Sequence, residues 1–220
     1  MQQVNHAQAQ ASPENLLADG VRALGLQLPP GAAEQLMAYL AELEKWNSAY
    51  NLTAIRDPRD MVVRHLLDSL AVLPYVRGRV LDVGAGAGIP GIILAIAQPD
   101  LTVTVLDSNG KKTRFMRHVV RVLKLGNVTV AESRVEALPS PEPDAGFDTV
   151  ISRAFASLTE FFDMTAHLLA PGGQWVAMKG KLDRLELAPA EGRAEIRQTC
   201  RLNVPGLDED RHVVIAQLKP

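Results

Sequence analysis

Two aspartates and a run of glycines carry the strongest chemical signal in the sequence. Residues 80–91 read VLDVGAGAGIPG, in which an apolar run holding Asp82 passes into Gly84, Gly86 and Gly88. Glycine has no Cβ, so this backbone can turn tightly and approach a ligand closely, and the free N–H groups of a helix start favour an electronegative group. Asp107 ends the next predicted strand, where a carboxylate can bind ribose hydroxyls. These residues predict a binding site for a nucleoside cofactor.

Two glycine patterns overlap in this stretch and predict different cofactors. Gly86-x-Gly88-x-x-Gly91 matches the dinucleotide fingerprint, but it begins two residues after the predicted strand end at Gly84. Asp82-x-Gly84-x-Gly86-x-Gly88 matches the first motif of Rossmann-like methyltransferases that use S-adenosylmethionine. No tyrosine is followed four residues later by a lysine, so a short-chain dehydrogenase would lack its proton donor. We therefore predict S-adenosylmethionine as the cofactor, with a nicotinamide-dependent oxidoreductase as the alternative.

Alternating strands and helices surround the glycine loop. Predicted strands lie at 80–83, 101–106, 128–131, 147–152, 174–178, 195–202 and 212–218, and predicted helices at 91–97, 111–125, 155–170 and 183–192. This alternation indicates a mostly parallel sheet covered on both faces, and the two consecutive strands at the end imply an antiparallel edge. The predicted fold class is α/β, a seven-stranded Rossmann-like methyltransferase sheet over 76–220.

A helical extension precedes the sheet. Helical spacing of apolar residues predicts helices at 14–24, 32–46 and 58–73, whereas 47–56 is too polar and aperiodic for a helix. We expect a flexible tail over 1–13 and a helical unit over 14–75, and we expect the predicted helix 155–170 to end at Pro171-Gly172-Gly173. Trp46 and Tyr50 are predicted to serve packing, and not to stack on bases.

Composition excludes several classes of protein. The 220 residues are 47% apolar and 22% charged, which is ordinary for a globular protein, and no apolar run nears the roughly 20 residues that span a bilayer. The N-terminus lacks the features of a signal peptide, so we expect a cytoplasmic protein that does not bind membranes. Cys200 is the only cysteine and the histidines are scattered, which predicts no disulfide and no metal site.

RNA contact would need a local basic patch, because the formal net charge is −2. Residues 111–124 hold six Lys or Arg and no acid. The candidate RNA-binding residues are Arg56, Lys111, Lys112, Arg114, Arg117 and Arg121. Without further information this helix face is equally well explained as a solvated surface.

Several unusual segments accompany the glycine loop. They are Trp46-Asn47-x-x-Tyr50-Asn51-Leu52-Thr53, Arg64-His65-Leu66-Leu67-Asp68-Ser69, Leu106-Asp107-Ser108, Ser133-Arg134-Val135-Glu136, Ser152-Arg153-Ala154-Phe155-Ala156 and Lys179-Gly180. In this order they resemble the RsmG (GidB) family of bacterial methyltransferases, which modify guanine N7 in 16S ribosomal RNA. The resemblance runs from about Leu36 to the end of the chain.

The resemblance implies roles for particular residues. Cofactor contacts are expected at Asp82, Gly84, Gly86, Gly88, Ile89, Asp107, Ser108, Val135, Glu136 and Arg153. Candidates for the substrate site are Asn51, Arg64, His65, Arg153 and Lys179, each of which also has a purely structural explanation. The implied partner is 16S rRNA of the small ribosomal subunit, bound by a monomer.

The absence of one catalytic motif is consistent with methylation at guanine N7. N7 carries a free lone pair and no proton, so no general base is needed to prepare it, and we predict no catalytic acid or base. The chain accordingly lacks the Asn/Asp-Pro-Pro-Tyr signature of methyltransferases that act on exocyclic amines. A noncatalytic RNA-binding module is a further alternative, although the intact acids and glycines of the loop argue against it.

Overall fold

The computed structural model describes residues 12–142, 145–153, 155, 157–182 and 184–219. The N-terminal helices are α1 (Pro13–Ala23), α2 (Ala32–Tyr50), α3 (Pro58–Met61), a π-helical stretch (Val62–Leu67), α4 (Asp68–Leu70) and a 3₁₀ turn (Leu73–Tyr75). Ser12 caps α1 by accepting a hydrogen bond from the Asn15 N–H, and Pro13 occupies the first turn. The helical unit therefore begins at Pro13, one residue earlier than predicted. Most of the predicted tail, residues 1–11, lies outside the described residues.

Seven strands form one sheet in the order β3-β2-β1-β4-β5-β7-β6. They are β1 (Arg79–Val83), β2 (Thr102–Asp107), β3 (Val128–Glu132), β4 (Phe147–Ser152), β5 (Leu169–Lys179), β6 (Glu195–Arg201) and β7 (His212–Gln217). Strands β1 to β5 pair in parallel, and β7 runs antiparallel to both β5 and β6. The predicted Rossmann-like α/β fold with an antiparallel edge is confirmed.

Helices cover both faces of the sheet, as its apolar central strands require. They are α5 (Gly91–Ala97), α6 (Gly110–Val122), α7 (Leu158–Thr165) and α8 (Arg184–Glu191), with 3₁₀ turns at Val135–Ala137 and Ala166–Leu168. One hydrophobic core joins the N-terminal helices to α5 and α6, and a second lies under α7 and α8 on the opposite face. No helix within the described residues is both long and apolar enough to cross a bilayer.

Further predicted boundaries are wrong, among them the predicted helix 155–170, of which α7 spans only Leu158–Thr165. Helix α2 continues through Asn47 to Tyr50, because the buried Asn47 side chain accepts from the Thr53 N–H and so makes its polar contacts beyond the helix end. The third helix ends at Leu70 and not at 73. Strand β5 begins at Leu169, so residues 171–173, the predicted end of the helix 155–170, lie inside the strand. A register shift opposite Phe147 and Thr149 accommodates these residues as a bulge.

Candidate active site

Strands β1 and β4 lie side by side although their connections lead to opposite halves of the sheet. Open α/β sheets bind ligands in the crevice beyond the carboxyl ends of such neighbouring strands. Asp82 and Val83 end β1, and Ser152 ends β4, where its hydroxyl donates a 2.9 Å hydrogen bond to the Val83 carbonyl. The residues that follow these two strands therefore face one common crevice.

Asp82 is a buried carboxylate with one free oxygen. Its Oδ2 accepts a 2.8 Å hydrogen bond from the Gly91 N–H, which opens helix α5, whereas Oδ1 has no partner among the described residues. Burial raises the pKa of Asp82 from 3.8 to about 7, although the Gly91 N–H and the Arg153 charge oppose this change. An unpartnered buried acceptor is costly, and a ligand that donates to it removes that cost.

The loop glycines differ in whether a side chain would have space at their positions. Gly84 and Gly86 have φ values of 71° and 62°, and a Cβ added to either would meet nothing within 4 Å. An added Cβ would lie 2.4 Å from Ile92 Cδ1 at Gly88, and 2.8 Å from Asp82 Oδ2 at Gly91. The first two glycines therefore shape an open face of the loop, and the other two permit close packing behind it.

Asp107 connects the glycine loop to the end of β2. Its Oδ2 accepts from the Gly86 N–H at 2.9 Å, its Oδ1 accepts from the Asn109 N–H at 2.8 Å, and Lys112 Nζ lies 3.5 Å from Oδ2. Beside it opens a cleft of about 380 Å³. Predicted cofactor residues that line this cleft are Gly84, Asp107, Ser108, Val135 and Glu136. Ile89 is buried in the core, and Arg153 lines a second cavity.

The second cavity, of about 310 Å³, has four cationic side chains in its lining and is called the basic cavity below; Arg64 and Arg211 pair with Glu209 at its edge. It is lined by Ile55, Arg64, Asp68, Arg153, Met178, Lys179, Gly180 and Arg211. The fold thus brings together three of the five predicted substrate-site residues, namely Arg64, Arg153 and Lys179. Lys179 Nζ donates to the Phe155 carbonyl at 3.2 Å and pairs with Glu186 at 2.5 Å. Because Phe155 also lines the cofactor cleft, the two cavities share the segment after β4.

A buried aspartate holds the arginines of this cavity. Asp68 is 2% exposed; its Oδ1 accepts from Arg211 Nε at 3.1 Å, and its Oδ2 lies 3.6 Å from Arg153 Nη1. Arg153 Nη1 also donates to the Arg64 carbonyl at 2.9 Å. Burial raises the pKa of Asp68, and the two guanidinium charges offset part of this rise. Arg211 carried no sequence signal, since it lies 143 residues from its partner.

The other two predicted substrate residues lie beside the cavity. His65 is buried with Nε2 3.0 Å from Thr53 Oγ1, and burial together with Arg153 lowers its pKa to about 4, so the ring is neutral near pH 7. Asn51 ends α2 in a left-handed conformation, and its Oδ1 accepts from Arg56 at 3.0 Å. Both side chains fix the loop that leads to Ile55.

Tyr39 is a further residue that the sequence did not single out. It is fully buried in α2, and its hydroxyl donates a 2.9 Å hydrogen bond to the Ala87 carbonyl in the glycine loop. The N-terminal helices thus contact the candidate cofactor site directly. A tyrosine at a core position of a predicted helix gives only a weak signal for this contact, because it fits ordinary packing equally well.

Most of the candidate RNA-binding cations lie on the surface of α6. Lys111, Arg114, Arg117 and Arg121 are exposed, and Arg117 Nη1 pairs with Glu132 at 2.9 Å. Lys112 instead points toward Asp107 at the cofactor cleft, and Arg56 lies in the loop after α2. Within the described part of the chain, no group of three or more His, Cys, Asp or Glu side chains is arranged to hold a metal ion.

Solved structures share the fold at low sequence identity. A SAM dependent methyltransferase from Aquifex aeolicus aligns with a TM-score of 0.57 at 18% identity, covering 83% of this chain and 98% of that one. The glycopeptide N-methyltransferase MtfA, solved in complex with S-adenosylmethionine, aligns with a TM-score of 0.56 at 13% identity, covering 70% and 95%. These similarities bear on the fold alone.

Curated relatives are much closer in sequence. Each is named ribosomal RNA small subunit methyltransferase G: that of Methylobacillus flagellatus is 54% identical, covering 90% of this chain and 95% of its own length, and that of Escherichia fergusonii is 46% identical, covering 94% and 98%. The family model GidB, described as rRNA small subunit methyltransferase G, matches residues 32–214. This outcome supports neither the oxidoreductase nor the noncatalytic alternative. The chain belongs to the GidB family, rRNA small subunit methyltransferase G.

Proposed function

We propose that the protein transfers the methyl group of S-adenosylmethionine to N7 of a guanine in 16S rRNA of the small ribosomal subunit. The observation that carries this proposal is the adjacency of two unlike cavities. A cleft lined by Gly84, Asp107 and Ser108 suits a nucleoside cofactor, and the basic cavity suits a nucleotide. Phe155 lines the cleft and Arg153, two residues earlier, lines the basic cavity. The names of the curated relatives support ribosomal RNA as the substrate class.

Residues that line the cleft, together with Asp82 and Gly86 beside it, fit S-adenosylmethionine. The free Oδ1 of Asp82 is an acceptor for its amino group, and the open faces at Gly84 and Gly86 leave room for its methionine portion. Asp107 and Ser108 would bind the ribose, with Val135 and Glu136 beside the adenine. The bound cofactor supplies an electrophilic methyl group on a sulfonium sulfur. Gly88 and Ile89 support the loop from behind.

The protein side chains act by binding and positioning, not by proton transfer. Guanine N7 already carries its lone pair, and positioning with exclusion of water accounts for catalysis of such a displacement. Arg64, Arg153 and Lys179 attract the target nucleotide through its phosphate or O6. Arg211 extends this set, and Asp68 keeps two of the guanidinium groups in place.

A larger surface would bind the surrounding RNA. The exposed cations of α6 and Arg56 provide the positive charge that phosphate contacts require. We propose that the protein acts as a monomer in the cytoplasm, where ribosomal subunits are assembled. Asn51 and His65 have structural contacts, so we assign them to shaping the loop beside the cavity.

Labelled methyl transfer tests the proposal. Wild-type protein is incubated with tritiated S-adenosylmethionine and with 16S rRNA or small subunits from a strain that lacks the gene, and 7-methylguanosine is mapped. Asp82→Ala should lose cofactor affinity and transfer, whereas Asp163→Ala, at an exposed position, is the matched control. An rRNA map of the deletion strain that still contains every 7-methylguanosine refutes the substrate. Calorimetric binding of NAD, but not of S-adenosylmethionine, refutes the cofactor.

A further inference from the structure

The last turn of α2 carries an exposed aromatic ring, that of Tyr50, which packs on a well-supported tryptophan. Tyr50 is 42% exposed, and its ring centroid lies 5.3 Å from that of Trp46, one helical turn earlier, at an interplanar angle of 32°. Trp46 is held in turn by Phe115 and His118 of α6, with centroid distances of 5.7 and 4.9 Å. Tyr50 thus packs on Trp46, as expected, and in addition leaves part of its ring exposed to solvent. A large ring kept in water on a rigid support is suited to stack on a flat ligand.

Cations lie on two segments next to this ring, namely helix α6 and the loop after α2. On α6, residues 111, 114, 118 and 121 follow helical spacing and share the face that meets Trp46 through His118. His118 itself is 2.6 Å from Glu42 Oε2. In the loop after α2, the exposed Arg56 donates a 3.0 Å hydrogen bond to Asn51 Oδ1. Aromatic platforms between cations are the usual surface for single-stranded nucleic acid.

The same surface leads into the basic cavity. Ile55 lines that cavity and directly precedes Arg56. Only the four residues 51–54 separate Ile55 from Tyr50 in the chain. This short segment is fixed, because the Thr53 N–H donates to Asn47 at 2.9 Å and Thr53 Oγ1 lies 3.0 Å from His65 Nε2. An RNA strand stacked on Tyr50 would therefore pass over this fixed segment before it reaches Arg64 and Arg153.

We propose that Tyr50 is a stacking platform for an unpaired base of the RNA strand whose target guanine enters the basic cavity. This inference rests on the proposed function, and it adds that the recognised RNA is single-stranded beside the target. Bases in loops and bulges are accessible to such stacking, whereas bases inside a duplex are not. Trp46 supports the platform from below, and the cations of α6 bind the phosphates.

Binding of intact and base-free strands tests the platform. Fluorescence anisotropy is measured with a labelled single-stranded RNA of mixed sequence, about 12 nucleotides long, and with an abasic strand of the same length. Tyr50→Ala should weaken binding of the intact RNA roughly 5- to 100-fold, and Tyr50→Phe by less than about twofold. The abasic strand should bind all variants alike, and the salt dependence should be unchanged because the phosphate contacts remain. Leu218→Ala, at a 45% exposed position next to the end of β7, is the matched control.

Tryptophan fluorescence tests the platform in the wild-type protein, without any variant. Trp46 lies under Tyr50, whereas the other tryptophan, Trp175, is buried under α7 at 1% exposure. Intact RNA should therefore change the emission of the wild-type protein, and the abasic strand should not.

Three results would overturn the platform. One is equal wild-type affinity for intact and abasic strands, and another is wild-type RNA affinity in a folded Tyr50→Ala variant. The third is a Tyr50→Ala variant that loses affinity for small subunits but not for RNA, which would assign the surface to a protein partner. A wild-type protein that does not methylate 16S rRNA refutes the proposed function instead, and the binding comparison still decides the role of Tyr50.

Discussion

Replacing Asp82 by asparagine should change how the stability of the ligand-free protein depends on pH. Burial raises the pKa of this carboxyl from 3.8 in the unfolded chain to about 7 in the folded one. Between these values the folded state holds the proton more tightly than the unfolded state does. The free energy of unfolding of the wild type therefore falls as the pH rises through this window, and levels off above about pH 7.

The size of the effect follows from the two pKa values. Linkage over the interval from pH 5 to pH 8 gives a loss of about 2–3 kcal/mol that is due to Asp82 alone. Asp82→Asn has no ionisation at this position, so its stability relative to the wild type should rise by about 2–3 kcal/mol between these pH values. Comparing the same two proteins at two pH values cancels the fixed cost of the asparagine amide. In a chain of 220 residues the change corresponds to about 5–10 °C in Tm.

Urea unfolding of both proteins at pH 5 and pH 8 measures this change. Asp163→Asn makes the same chemical replacement at an exposed position and should shift by less than about 0.5 kcal/mol. A pH-independent difference between Asp82→Asn and the wild type would show that the carboxyl is not desolvated, and the case for a free acceptor facing the cofactor would fail with it.

Three further predictions concern the neighbouring contacts. Tyr39→Phe leaves a loop carbonyl without its donor, at a cost of about 1–3 kcal/mol, so calorimetry should show weaker binding of S-adenosylmethionine; unchanged affinity contradicts the contact. Gly86→Ala adds about 1–2 kcal/mol of backbone strain and a methyl group on the open face of the loop, and it should weaken the same binding, whereas Gly25→Ala, also at positive φ, should lower stability alone; equal losses of affinity would contradict this. Asp68→Asn releases Arg153 and should lower kcat for methyl transfer to rRNA roughly tenfold or more at unchanged cofactor affinity, whereas an unchanged kcat removes Asp68 from positioning.

Local sequence patterns predicted the sheet well because its strands are short apolar runs. Strand β4 lies where the pattern placed it, at Phe147–Ser152. The failures occurred where distant contacts overrule local preference. Gly172, at φ 73°, would end most strands, yet pairing with β4 and β7 keeps β5 continuous from Leu169. Polar residues after Trp46 do not end α2, since Asn47 turns its amide toward the next loop.

Within the candidate site, too, residues that are close in sequence could be predicted, and residues that meet only through the fold could not. The glycine loop and its acids are contiguous in sequence, so their spacing carried enough information to predict a cofactor. Arg211 approaches Asp68 only because β7 inserts between β5 and β6, and no local pattern marks that approach. The exposure of Tyr50 likewise depends on where α6 meets α2, which apolar spacing within one helix does not define.

The N-terminal helices contribute to both cavities, which bears on whether they form a separate RNA-binding attachment. The Tyr39 hydroxyl donates a hydrogen bond to the cofactor loop. The Arg64 carbonyl accepts a hydrogen bond from Arg153, and Asp68 contacts both Arg153 and Arg211, which belong to two parts of the sheet domain. These helices also share one hydrophobic core with α5 and α6. An attachment that only delivered RNA would not need the contact between Tyr39 and the cofactor loop. The arrangement therefore favours a single site in which the N-terminal helices align the target nucleotide with the methyl donor.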